Sequence, residues 1–168
     1  MKLPHLARRF VRALWPGAPP PADVAWVESV LTPAELALWR RLPNHDRRYS
    51  IRVGRRVDSL LGGSRCAPDD HWVAIALLHD VGKLDAGLGV ARRALATVAG
   101  AVFPGVRRSD GRFGRYLRHD EIGATMIRAA GGREDAARWA AAHHHRDRWG
   151  ATGIPSAVTA ALDAADNV

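Results

Sequence analysis

Cysteine is nearly missing from this chain. Cys66 stands alone among 168 residues, so neither an internal disulfide nor a thiolate metal cluster can form, which suits a reducing cytoplasm. Lysine is almost as scarce: Lys2 and Lys83 are the only two, and arginine carries nearly all the positive charge. Long apolar runs are lacking too. The longest, Trp72 to Leu78 and Ala94 to Val102, fall well short of the ~20 residues a membrane-spanning helix needs. Arg8, Arg9 and Arg12 interrupt any signal-like apolar core, so no secretion signal is expected. Strand alternation, internal repeats and low-complexity tracts are missing as well, apart from one proline cluster. What remains is an all-α protein expected in the cytoplasm.

The charge that is present is lopsided, +8 at neutral pH. Such an excess favours anionic partners, either phosphate-bearing small molecules or nucleic acid. No DNA-binding motif accompanies it, so nucleic acid rests on charge alone. The length supports one hydrophobic core and not two. Residues 1–21 read as an extension: a basic amphipathic helix from Leu3 to Trp15, with Leu3, Leu6, Phe10 and Leu14 on one face, then the stiff stretch Pro16 to Pro21. That helix suits either a cap over the core or a weak contact with an anionic membrane surface. Residues 22–168 form the domain.

Within the domain, Asp23 to Leu31 reads as a short helix, and Thr32-Pro33-Ala34-Glu35 opens another with a capping box. Asn44 is placed to cap a helix running from His45 to about Leu61, with Ile51, Val53, Val57, Leu60 and Leu61 apolar. Asp69 or Asp70 starts a central helix that carries His79 and Asp80. A small-residue helix follows from Val90 to about Val102, then a basic loop from Pro104 to Arg112 and a short turn at Gly114 to Leu117. Helices from Asp120 to Ala130, Arg133 to His144 and Pro155 to Asp166 complete the chain.

An adjacent His-Asp pair on a buried helix is hard to explain as packing, because burying both groups costs several kcal/mol unless something pairs them. A metal ion is the usual partner. The other candidates are His119, His143, His144, His145, Asp163 and Asp166, and imidazole with carboxylate suits Mn, Fe, Zn or Ni. A mid-helix histidine or a histidine run at a helix end is unremarkable singly; the signal is the set.

The stretch Leu77-Leu78-His79-Asp80-Val81-Gly82-Lys83 resembles the core motif of the HD superfamily of metal-dependent phosphohydrolases. Arg118 to Ala124 resembles the His-x-x-x-Gly segment of its binuclear branch, Trp139 to His144 its His-His pair, and Leu162 to Asp166 its closing Ala-Asp. The Gly-Tyr-Pro motif of the cyclic-dinucleotide branch is absent. The resemblance covers about Asn44 to Asp166 and implies a compact all-α HD-domain helical bundle. It also implies a divalent transition metal, one ion or two, on His79, Asp80, His119, His143, His144 and Asp166. Asp80 is then the shared ligand: one position uses His79, Asp80, Asp166 and a first histidine, the other Asp80, His119, His143 and His144.

One residue departs from that pattern. Where the family has a motif like Asp-Arg-Arg-His-Ser, this chain reads Asp46-Arg47-Arg48-Tyr49-Ser50. Tyr49 therefore stands at the first ligand position, and His45 lies one turn earlier as a conceivable substitute. The expected activity is hydrolysis of a nucleotide or other small phosphoester through metal-activated water, with Asp80 and Lys83 as catalytic residues. Arg112, Arg115 and Arg118 would recognise phosphate, with Phe113 and Tyr116 available to stack on a base. The alternatives are an impaired family member that binds a nucleotide or anion as a sensor, and a basic nucleic-acid-binding protein.

Overall fold

The computed structural model describes residues 17–62 and 70–167. The helix expected from Leu3 to Trp15 and Asp69 as a helix start lie outside the described residues. All regular structure among the described residues is helical, so the all-α expectation holds. The α-helices are α1 (Pro21–Val30), α2 (Pro33–Arg40), α3 (Asn44–Leu61), α4 (Asp70–Leu78), α5 (Lys83–Ala86), α6 (Val90–Val102), α7 (Arg112–Leu117), α8 (His119–Ala129), α9 (Glu134–Ala142) and α10 (Ser156–Asp166). Short 3-10 stretches at Pro104–Arg108 and Arg146–Thr152 join α6 to α7 and α9 to α10.

The centre of the molecule is α4. Val73 to Leu78 are all buried, and a helix that is apolar on every side must be surrounded. Helices α1, α2, α3 and α9 pack around it. Each fully buried Leu or Ile contributes roughly 1.5–3 kcal/mol of transfer free energy. That anchoring gives whatever follows Leu78 a fixed starting point.

The capping box at Thr32 forms as expected. The Thr32 hydroxyl accepts from the Glu35 amide at 3.3 Å, and the Glu35 carboxylate accepts from the Thr32 amide at 3.0 Å. Glu35 does more than the motif requires. It is buried, and its other oxygen accepts from the Arg133 amide at 3.0 Å and pairs with the Arg133 guanidinium. One carboxylate thus starts α2 and fastens it to the entry of α9.

Several expectations need correction. Pro43, not Asn44, takes the cap position of α3; Asn44 is its first helical residue and accepts a bond from Arg47 instead. Leu60, assigned to the apolar side, is exposed. The central helix closes at Leu78, so His79 and Asp80 lie just beyond it. There the amides of Val81 and Lys83 reach back to Leu78 O and Asp80 O at 3.1 Å each, tightening the chain into a turn. The basic loop from Pro104 is partly 3-10 helix, and α7 begins two residues early at Arg112.

Helix α6 buries little; Arg93 and Ala96 are its only buried residues. Arg93 clamps it to α3 through a fork on Asp46, with Nη1 to Oδ1 at 2.6 Å and Nη2 to Oδ2 at 2.8 Å. Its Nε donates to Leu88 O at 2.8 Å.

Candidate metal centre

Four segments converge at the open end of α4: the turn 79–82, the first turn of α8, the residues just after α9, and the last turn of α10. Two glycines permit the closest approach. A Cβ added to Gly82 would lie 1.9 Å from His119 O and 2.5 Å from the Gly123 nitrogen. Backbone therefore packs on backbone, Gly82 against the α8 turn that runs from His119 to Gly123. That contact brings His119 beside Asp80. It also supplies a physical reason for the glycines in both motifs.

The histidine orientations follow from local bonds. His79 Nδ1 faces Ala76 O at 2.7 Å, His119 Nδ1 faces Tyr116 O at 2.8 Å, and His143 Nδ1 faces Ala140 O at 2.8 Å. In each case the acceptor is the carbonyl three residues back, so the hydrogen must sit on Nδ1. Every Nε2 is thereby the ring nitrogen turned inward, the orientation a metal-ligating histidine requires.

Those Nε2 atoms surround Asp80. Its Oδ1 is 3.3 Å from His119 Nε2 and 3.9 Å from His143 Nε2; its Oδ2 is 3.4 Å from His79 Nε2. His119 Nε2 also lies 3.2 Å from His144 Nε2. His79 Nε2 lies 3.1 Å from Asp166 Oδ1. The ligand atoms fall into two groups, His119-His143-His144 and His79-Asp80-Asp166, with the atoms of each within 4.8 Å of one another. One oxygen of Asp80 faces each group.

The donor chemistry fits a cation. The buried Nε2 of His143 has no hydrogen-bond partner, and an orphaned buried lone pair is costly unless something fills it. Burial, with His79 and His144 nearby, pushes the His143 pKa down to about 3. Burial and His119 push that of His144 down to about 4. Both rings are therefore neutral and available as ligands at physiological pH. His79 is different. Burial opposes its charge, but Asp80 and Asp166 outweigh burial and raise its pKa to about 10. With acceptors on both sides, His79 must carry a second proton or face a cation.

Tyr49 occupies the edge of the His79 group. Its hydroxyl lies 2.6 Å from both the backbone O and the Oδ1 of Asp166, and its ring centroid is 6.2 Å from that of His79. His45 belongs to neither ligand group; its Nε2 faces Asp46 Oδ1 at 3.4 Å. Lys83 is half-buried and forms an ion pair with Asp80 Oδ2. Burial works against its charge, yet Asp80 raises its pKa, so it stays an ammonium.

The remaining candidates lie outside both groups. Asp163 pairs with Arg146. His145 Nε2 lies 3.2 Å from Asp120 Oδ2. Arg112 donates to Ala86 O and Gly87 O, Arg115 pairs with Asp85, and Arg118 holds Arg107 O, Ser109 O and Asp110. Phe113 packs under α6, and Tyr116 stacks on His119 at 5.6 Å between centroids.

Sequence reasoning overlooked Asp120. Its side chain is fully buried and accepts from the Glu121 amide and from Arg107, both at 3.0 Å, while facing His145. Burial alone would raise its pKa, but the Glu121 amide and Arg107 hold it low. It fastens the turn after α9 to the start of α8, which sets His143 and His144 against His119. A carboxylate directly after one candidate ligand was the signal available.

The family model for the HD domain matches residues 50–168. Every candidate ligand from His79 to Asp166 lies inside that span, and Tyr49 falls one residue before it. No curated protein and no solved structure matches the chain.

Proposed function

The chain belongs to the HD-domain family, and from that premise we propose that it is a metal-dependent phosphohydrolase acting on a nucleotide or another small phosphoester. One observation carries the reading: the imidazoles of His119, His143 and His144 converge beside one oxygen of Asp80, and the buried Nε2 of His143 has no hydrogen-bond partner among the described residues. Asp80, His119, His143 and His144 would hold one ion. His79, Asp80 and Asp166 would contribute to a second position with Tyr49 at its edge. Divalent transition metals supply Lewis-acid polarisation of a phosphoryl oxygen and acidify water.

The chain's own residues do the rest. Asp80 presents one oxygen to each group and so ties the two positions together. Lys83 keeps its charge beside that carboxylate and is the cation nearest to hand for a substrate phosphate. The Ala76, Tyr116 and Ala140 carbonyls hold the three rings in one orientation, with Nε2 turned inward before any ligand binds. Arg112, Arg115 and Arg118 have only the hydrogens left over from their bonds to the chain, so phosphate contact falls first to Lys83.

A second reading has its own observation. The Tyr49 hydroxyl, where the family pattern has imidazole, favours a protein that binds its anionic ligand without turning it over. Metal analysis of the purified protein, followed by hydrolysis assays on nucleotides and phosphomonoesters with Mn²⁺ or Fe²⁺, tests both. Bound metal with turnover supports the hydrolase, and bound metal without turnover supports the sensor. Absence of both metal and turnover overturns the metal-dependent reading.

A further inference from the structure

A helix lying on a protein surface normally turns a polar face to water. Helix α6 does not. Its inward side carries Arg93 and Ala96, with Gly100 against Leu117. At 100° per residue the opposite side carries Ala91, Ala94, Leu95, Val98 and Val102, all exposed and all apolar. Phe103 extends the face at the C-terminal end. Leu95 is 57 % exposed, Val98 and Val102 61 % each and Phe103 65 %. Apart from the marginally exposed Leu60, these are the exposed large hydrophobics among the described residues, and they are contiguous.

The segment that carries this face has charge of one sign, and the nearest acids along the chain, Asp85 and Asp110, are paired with Arg115 and Arg118. Residues 86–109 contain no aspartate or glutamate. Arg92 within α6 and Arg108 just beyond it are exposed, and their side chains make no ion pair or hydrogen bond among the described residues. A second copy of the chain would bring the same uncompensated arginines face to face, between two molecules of net charge +8. The stretch Leu3 to Trp15 carries Arg8, Arg9 and Arg12 and would repel them likewise. The partner that complements the face is apolar in its interior and anionic at its rim. The face is also a ridge along one helix, which suits insertion into a soft layer.

We propose that the outer face of α6 docks on an anionic lipid surface, with Leu95, Val98, Val102 and Phe103 entering the acyl boundary and Arg92 and Arg108 at the headgroups. No helix among the described residues is long and apolar enough to cross a membrane, so the contact is peripheral. The proposal stands apart from the metal centre and does not depend on its activity.

Sedimentation of the full-length chain with vesicles tests it. One set is pure phosphatidylcholine; the other includes about 30 mol % phosphatidylglycerol, an anionic fraction that attracts basic residues near the surface. The expected result is binding to the anionic vesicles, weakened by salt, with little on the neutral ones. The double variant Leu95→Glu, Val98→Glu changes only exposed positions. It should lose roughly tenfold or more in binding, while its melting temperature and metal content stay those of the parent. Equal binding to both vesicle types, or to neither, overturns the proposal. So does a double variant that binds like the parent, since the contact would then lie elsewhere, as on residues 3–15. Concentration-dependent dimerisation that the double variant abolishes would overturn it in favour of self-association.

Discussion

Replacing Gly82 with alanine is the most direct perturbation of the candidate metal centre that leaves every candidate ligand in place. The backbone of Gly82 is right-handed helical, φ −63° and ψ −19°, so alanine meets no conformational penalty. The penalty is purely steric. The new Cβ would lie 1.9 Å from His119 O, against about 3.3 Å for the shortest ordinary carbon–oxygen approach. The start of α8 must therefore retreat by about 1.4 Å. Because backbone lies on the far side, no side chain can rotate to make room. The cost belongs at or above the upper end of overpacking penalties, about 3 kcal/mol, which in a chain of this size lowers Tm by about 6–12 °C. The chemical effect is sharper. Metal–ligand distances tolerate only about 0.2 Å, so a displacement of this size takes His119 out of the ligand set. Metal per chain and thermal unfolding, each with and without chelator, measure the two effects. Gly105→Ala is the control, since a Cβ there meets nothing within 4 Å. A Gly82→Ala protein with the parent's Tm and full metal content would refute the account of why glycine stands behind His79-Asp80.

Three further outcomes are expected. Tyr49→His should raise bound metal towards one more ion per chain, read by elemental analysis; no change in metal or rate would show that residue 49 is not the missing position. His143→Ala should remove the ion held with His119 and His144, whereas Asp166→Asn should leave that ion in place; equal losses in both variants would mean the two positions are not separable. Asp46→Ala leaves the Arg93 guanidinium buried without its partner and should cost about 3–5 kcal/mol by thermal or denaturant unfolding, and a cost below about 1 kcal/mol would show that the fork does not hold α6 to α3.

Local chemistry was readable in the sequence, and long-range pairing was not. Thr32 and Glu35 announce a cap because both partners lie within four residues. The apolar run before His79 announces a surrounded helix for the same reason. His79, Asp80, His119, His143, His144 and Asp166 were recognisable as a set through the motif order, and the structure brings them together. Nothing near Asp46 in the sequence points to Arg93, 47 residues away. The second role of Glu35 depends on Arg133, 98 residues on. The cap at Asn44 failed for a local reason: Pro43 already holds the extended conformation a cap position needs. The apolar outer face of α6 escaped notice because a helix of alanine and valine looks like core until its neighbours are known.

The consequence of Tyr49 is best judged by charge balance. Around His79 the two carboxylates already have cationic or donating partners. Asp80 and Asp166 raise the His79 pKa to about 10, Lys83 pairs with Asp80 Oδ2, and the Tyr49 hydroxyl lies against Asp166. An ion entering there must displace the proton on His79 and share Oδ2 with an ammonium. It would also find a phenol where the family has imidazole, and a phenol must give up its hydroxyl proton to serve as an anionic ligand. Around His119 the reverse holds. His143 and His144 are driven neutral, the His143 Nε2 has no hydrogen-bond partner among the described residues, and Asp80 Oδ1 faces His119 and His143. Proton charge stands in for metal on one side of Asp80 and is expelled from the other. On that balance we propose that an ion would settle first beside His119, His143 and His144, and that Tyr49 would weaken the other position without dismantling this one.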